Sequence, residues 1–135
     1  MIPKNSFPKI EHLCGEKRLS RLFNEGKAFI VYPLRIIYIV EQKSDIVTAS
    51  VLVSVPKKRF KHAVKRNRLK RLMREAYRLN KHLLIDKLNE NNLQIQLAFN
   101  YVSDEEMDFL TIEKKVKSAI QKIIEKFEQT QSEIS

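Results

Sequence analysis

Apolar positions along the chain switch between helical and strand spacing, and the switches mark out its elements. In 16–25, Leu19, Leu22 and Phe23 share one helical face, and Gly26 stands where a C′ residue ends a helix. Residues 28–41 (AFIVYPLRIIYIVE) are rich in β-branched and aromatic side chains, which predicts a strand started or interrupted at Pro33. The polar QKSD (42–45) predicts a hairpin turn into a second strand over 46–55, stopped by Pro56. A helix is expected over 63–84, followed by the loop DKLNENN. Leu93, Ile95, Leu97 and Phe99 then alternate with Gln94, Gln96 and Ala98, the pattern of a half-buried strand. The last helix has Thr111 as candidate N-cap, Ser103 and Glu106 as an earlier capping box, and a stripe of Val116, Ala119, Ile120, Ile123, Ile124 and Phe127. Residues 1–11, with Pro3 and Pro8, read as a flexible arm, 12–129 as one domain, and 130–135 as a frayed tail. The order predicts an α+β fold, a layer of helices on one small sheet.

The helix over 63–84 has two faces. Leu69, Leu72, Met73, Ala76 and Leu83 cluster on one side, with Tyr77 and Leu84 at the edge, and pack on the sheet. Asn67, Lys70, Arg71, Arg74, Arg78 and Lys81 lie opposite as one basic strip. A solvated charged face is the competing reading, but such faces mix Glu with Lys at i,i+4 spacing, and here Glu75 is the only acid.

Charge sharpens this picture. The formal net charge is +10, and residues 57–82 hold twelve Lys or Arg residues against that one acid. The other positions carry 14 Lys/Arg against 15 Asp/Glu, so the whole excess lies in one segment. Lys57, Lys58, Arg59, Lys61, Lys65, Arg66 and Arg68 surround a helix N-terminus, which already carries partial positive charge. That crowding becomes favourable where phosphates occupy the helix start and the strip beside it. Arg suits bidentate phosphate contact, so the expected target is a nucleic-acid backbone. A helix–turn–helix DNA reader needs two consecutive helices, whereas strands flank this one. A membrane surface needs an interfacial rather than a core-type apolar face. RNA, bound by shape and phosphate, is what remains.

Other chemistry is sparse. His12, His62 and His82 have no Cys or carboxylate partners at metal-ligand spacing. Cys14, the single cysteine, cannot form an internal disulfide and fits a reducing compartment. The two glycines make no phosphate loop, and SDEEMD (103–108) reads as a charged helix start. The longest apolar run is broken by Arg35 and is far short of the roughly 20 residues of a membrane span. A cytoplasmic protein with no membrane contact and no active site of its own is expected.

Residue order goes further. Val53-Ser-Val-Pro-Lys-Lys58, then Ala63-Val-Lys-Arg-Asn-Arg-Leu-Lys-Arg-Leu-Met-Arg-Glu-Ala-Tyr77, closely resembles the signature of the bacterial ribonuclease P protein subunit, centred on Arg66, Asn67 and Arg68. Weaker similarities follow in order: His12-Leu13, Phe23 and Gly26, a hairpin, the alternating strand and a Thr-capped last helix. The resemblance implies a two-layer α/β sandwich, a small mainly antiparallel sheet with three helices and a left-handed βαβ crossover built from 46–55, the basic helix and 93–99. It implies a partner RNA that carries out, with bound Mg2+, the endonucleolytic removal of the 5′ leader from precursor tRNA; the protein alone is not expected to be catalytic. No DNA partner is expected. Carried over by position, Lys57, Lys58, Arg59, Lys61, Lys65, Arg66, Asn67, Arg68, Lys70, Arg71, Arg74 and Arg78 would bind RNA. Asn67, neutral within the strip, suits a specific hydrogen bond or a metal-bound water, or else bonds its own backbone. A cleft between the first helix and the sheet would take the leader, with Phe23 and Tyr38 as stacking residues or, equally, as core. His12, Leu19 and Phe99 depart from the family's usual residues. A general RNA-binding or ribosomal protein is the alternative.

Overall fold

The computed structural model describes residues 11–13, 15–44 and 47–134. Helix α1 (Glu16–Glu25) leads into the strands β1 (Lys27–Val31) and β2 (Leu34–Gln42). Then follow β3 (Ala49–Ser54), the basic helix α2 (Ala63–Glu90), β4 (Leu93–Tyr101) and α3 (Phe109–Ile134). The sheet order is β1-β2-β4-β3. β1 pairs antiparallel with β2, and β2 with β4, while β3 runs parallel to β4. The β3–α2–β4 crossover expected over 46–55, the basic helix and 93–99 is therefore present, in an α+β fold of three helices on a mainly antiparallel sheet.

Several local expectations change. The stretch 28–41 is interrupted at Pro33 as expected, and the interruption is a hairpin turn at a cis Tyr32–Pro33 bond with Val31 opposite Leu34. No hairpin forms at 42–45, because β4 lies between β2 and β3. Helix α2 absorbs most of the predicted loop, whose Asp, Lys, Leu and Glu carry no breaker, and ends only at Asn91. Asn92, at φ 54°, makes the left-handed turn that a short polar side chain tolerates. The cap of α3 is Asp108, whose Oδ1 accepts from the Thr111 backbone N–H. Ser103 Oγ accepts from the Glu105 N–H and caps only a turn. α3 runs from Phe109 to Ile134, with no Pro or Gly to stop it. Residues 1–10 and Cys14 lie outside the described residues. His12 bridges Val51 in parallel, and Leu13 N–H donates to Val51 O, so the start of the expected domain runs along the outer edge of β3.

The helices do not form one layer. α2 and α3 pack on the sheet face carrying Leu34, Ile36, Tyr38, Val51, Leu97 and Phe99. α1 packs on the other face, where Leu13 and Leu22 meet Ile37 and Ala98. This double cover explains why Leu93–Phe99 is buried throughout rather than alternately, with Gln94 and Gln96 enclosed beneath α1's side of the sheet. Gly26 has φ −69°, so it is not a left-handed cap. A Cβ there would stand 2.4 Å from Leu22 O and 2.8 Å from Ile37 Cγ2; glycine lets the helix end touch β2.

Candidate nucleic-acid interface

The basic segment begins with a turn rather than with helix. Arg59 N–H donates to Pro56 O, and the buried Phe60 ring rests against Tyr101, centroids 5.9 Å apart. Phe60 thus pins the turn to the core while Lys57, Lys58 and Lys61 stay exposed. Arg66 reaches back: its Nη1 donates to Phe60 O at 2.9 Å and to Lys61 O at 2.7 Å. The start of α2 has no side-chain cap and no acid in its first turn. Its leading N–H groups and partial positive charge therefore meet no anion from their own turn.

Beyond this start, helical spacing sends the cations in different directions. Asn67, Arg71 and Arg74 lie at i, i+4 and i+7, all exposed, with Lys70 half-buried beside them. Among the described residues, Lys70, Arg71 and Arg74 make no ion pair. Arg78 continues the strip but is held by Glu75 at 2.6 Å, an interaction that lowers the Glu75 pKa and raises that of Arg78. Lys65 and Arg68 point instead toward the loop between β4 and α3, where Glu106 stands 3.9 and 3.4 Å away. Arg59 pairs with Asp104 of the same loop at 3.1 Å. The acids of 103–108 are therefore more than a solvated helix start: two of them face the basic surface.

Lys81 is not on the strip. It is 3% exposed, and its Nζ donates to both carboxylate oxygens of Glu11 at 2.7 and 2.9 Å. The buried side of α2 runs through Tyr77, Lys81, Leu84 and Leu88 because the helix packs on α3 as well as on the sheet, which widens its buried arc. Glu11, from the segment along β3, supplies the countercharge that makes burial tolerable.

Comparison with known proteins now bears on this surface. The family model described as Ribonuclease P matches residues 7–124. A relative from Porphyromonas gingivalis strain W83, called Ribonuclease P protein component, is 49% identical over 121 residues, covering 90% of this chain and 88% of its own. The chain belongs to the ribonuclease P protein family. A Chlorobaculum tepidum member of the family is 38% identical over 104 residues, covering 72% of this chain and 68% of its own. In fold, the chain is similar to the RNase P protein of Staphylococcus aureus (TM-score 0.65, 19% identity, 84% of this chain and 94% of that one). The Thermotoga maritima RNase P protein is equally similar (TM-score 0.65, 20% identity, 83% and 96%).

The two sheet faces are covered by different helices, and this sorts the aromatic residues. Tyr38 is 4% exposed and faces α2 and α3, where Phe29 meets its ring edge-on at 5.9 Å. It cannot offer a stacking surface on the α1 side, so its assignment to that cleft is corrected. β2 alternates, and the residues facing α1 are Ile37, Ile39 and the exposed Arg35. Phe23 is 49% exposed and available for stacking. Sequence reading passed over Tyr32, 55% exposed at the β1–β2 turn with its hydroxyl donating to Ser103 Oγ at 2.9 Å. The signal was present, since a Tyr-Pro inside an apolar run marks a turn that displays its aromatic. Arg35 was equally legible as the charged member of an alternating strand. Among the described residues no group of three or more His, Cys, Asp or Glu side chains is placed to hold a metal.

Proposed function

We infer that this chain is the RNA-binding protein subunit of ribonuclease P and assists tRNA 5′ maturation by holding RNA rather than by cutting it. The observation that carries this reading is the ordered Val53–Tyr77 signature folded into one surface. The exposed lysines of the turn Lys57–Lys61, the uncapped start of α2 and the Asn67-Arg71-Arg74 strip follow one another along α2 and the turn that leads into it. Phosphates placed there satisfy both the side chains and the helix start.

In this proposal the partner RNA supplies the hydrolytic centre and holds Mg2+, and no ligand set for the ion is assigned to this chain. Lys57, Lys58, Lys61, Lys70, Arg71 and Arg74 contact phosphate directly. Arg59, Lys65 and Arg68 join them when RNA displaces Asp104 and Glu106. Asn67 contributes a hydrogen bond rather than charge. The α1-facing side of the sheet, with Phe23, Arg35 and Tyr32, takes the single-stranded leader of precursor tRNA, its bases stacking on the two aromatics. The cytoplasm, where both RNAs are found, is the proposed compartment; no helix among the described residues is long and apolar enough to cross a membrane.

The deciding experiment measures cleavage of precursor tRNA by a bacterial ribonuclease P RNA at low magnesium, with and without the protein. Stimulation of correct 5′ cleavage is expected. Unchanged cleavage, with the protein folded, would overturn the assignment.

A further inference from the structure

Resting on that reading of the basic surface, we propose that Arg66 is a positioning residue. It shapes the Lys57–Lys61 turn into a rigid end of the RNA-binding surface and makes no phosphate contact of its own.

The direction of the side chain is the first argument. Arg66 lies three residues before Leu69 and seven before Met73, so it continues the buried side of α2 and not the strip of Asn67, Arg71 and Arg74. It is half-buried where Lys65, Asn67 and Arg68 on either side are exposed.

Its hydrogen bonds are the second. The two hydrogens of Nη1 reach the carbonyls of Phe60 and Lys61, which precede the helix and have no place in its ladder. A cation that donates to two carbonyls gains charge-assisted bonds and supplies what those oxygens lack. Meanwhile the Arg66 backbone N–H closes the first turn of α2 on His62 O. One residue thus ties the turn to the helix through both its backbone and its side chain.

The third argument is what the turn would do without it. Lys57, Lys58 and Lys61 repel one another and the positive end of α2, and within the turn only Phe60 is anchored in the core. Held by Arg66, these three ammonium groups are presented together and RNA need not order them; released, each must be immobilised on binding. The interaction therefore acts on several phosphate contacts at once.

The experiment titrates salt against affinity for a ribonuclease P RNA, using wild type, Arg66→Ala, the pair Lys57→Ala/Lys58→Ala, and all three substitutions together. A steep wild-type slope is the test of the underlying reading; a flat one means the basic surface is not the interface, whatever Arg66 does. Given a steep slope, an independent phosphate contact at Arg66 would lower its magnitude by about 0.7–0.9. Positioning predicts a fall of about two or more. It also predicts that the lysine pair costs several-fold less affinity in the Arg66→Ala background than in wild type. Equal cost in both backgrounds, with a slope change near one, overturns the proposal. Should Arg66→Ala not fold, nitrogen-15 NMR of the wild-type protein decides. Positioning requires distinct, slowly exchanging Arg66 Nη resonances before RNA is added and little change afterwards. A freely rotating guanidinium that becomes ordered only with RNA refutes it.

Discussion

Replacing Lys81 by Met separates a cation that stabilises the fold from the cations proposed to bind RNA. The ammonium is buried, and the Glu11 carboxylate beside it is 11% exposed. Met fills the same stem volume but leaves that carboxylate without its countercharge. Breaking a buried pair from one side typically costs about 3–5 kcal/mol. Glu11 sits near the start of the described chain and can turn toward water, so the lower end, about 3 kcal/mol, is expected here. For a domain of this size that corresponds to a fall in Tm of roughly 9–15 °C. The double variant Glu11→Leu/Lys81→Met removes both charges and should recover most of the loss, because apolar replacement of a buried pair is often neutral. Urea and thermal unfolding followed by circular dichroism give the stabilities, and RNA binding well below Tm gives the salt slope, which should match wild type. A loss below about 1 kcal/mol together with a shallower slope would refute the argument and put Lys81 back on the interface.

Three further outcomes are expected. Arg71→Ala should reduce the magnitude of the salt slope by about 0.7–0.9 while shifting stability by no more than about 0.5 kcal/mol, as salt-dependent binding and denaturant unfolding would show. Glu106→Gln frees Lys65 and Arg68 and removes an anion from the phosphate path. A several-fold gain in RNA affinity at low salt is expected, fading as salt rises, and unchanged affinity would mean RNA never reaches those two side chains. Asp108 has its pKa lowered, chiefly by its hydrogen bonds to Thr111. A folded-state value below the unfolded one means its cap stabilises α3 above the ordinary aspartate range and is lost as pH falls through the native value. The difference in unfolding midpoint between wild type and Asp108→Ala should therefore shrink between about pH 6 and about pH 2.

The elements were legible where one physical signal dominated. Helix α1, the core stripe of α3 and the direction of Arg71 and Arg74 follow from periodicity alone. What sequence did not disclose depends on partners distant along the chain. Lys81 reads as strip until Glu11, seventy residues away, is placed against it. Tyr38 reads as an open aromatic until helices are assigned to both faces of the sheet. The 42–45 stretch reads as a hairpin because local turn chemistry carries no information about β4, which inserts between the strands fifty residues later. Arg66 belongs to a motif that reads as uniformly RNA-directed, and only the carbonyls of Phe60 and Lys61 single it out.

How the fold tolerates its concentrated charge also indicates how much of that charge is on offer. Glu11 neutralises Lys81, Glu75 holds Arg78, Asp104 holds Arg59, and Glu106 stands between Lys65 and Arg68. Two backbone carbonyls occupy Arg66. Besides Arg66, the members of the segment left without an ion pair among the described residues are Lys57, Lys58, Lys61, Lys70, Arg71 and Arg74. If each meets one phosphate, log affinity should fall against log salt with a slope of about −4 to −5. Recruiting Lys65 and Arg68 from Glu106 steepens this toward about −6 to −7, because two more phosphates then release counterions. The acids that face the interface are all exposed, hence weakly held and displaceable, whereas the acid that pairs inside the fold is buried with its lysine. On the proposed reading the same twelve charges are thereby divided: buried pairing stabilises the domain, and exposed pairing sets how many cations an RNA would claim.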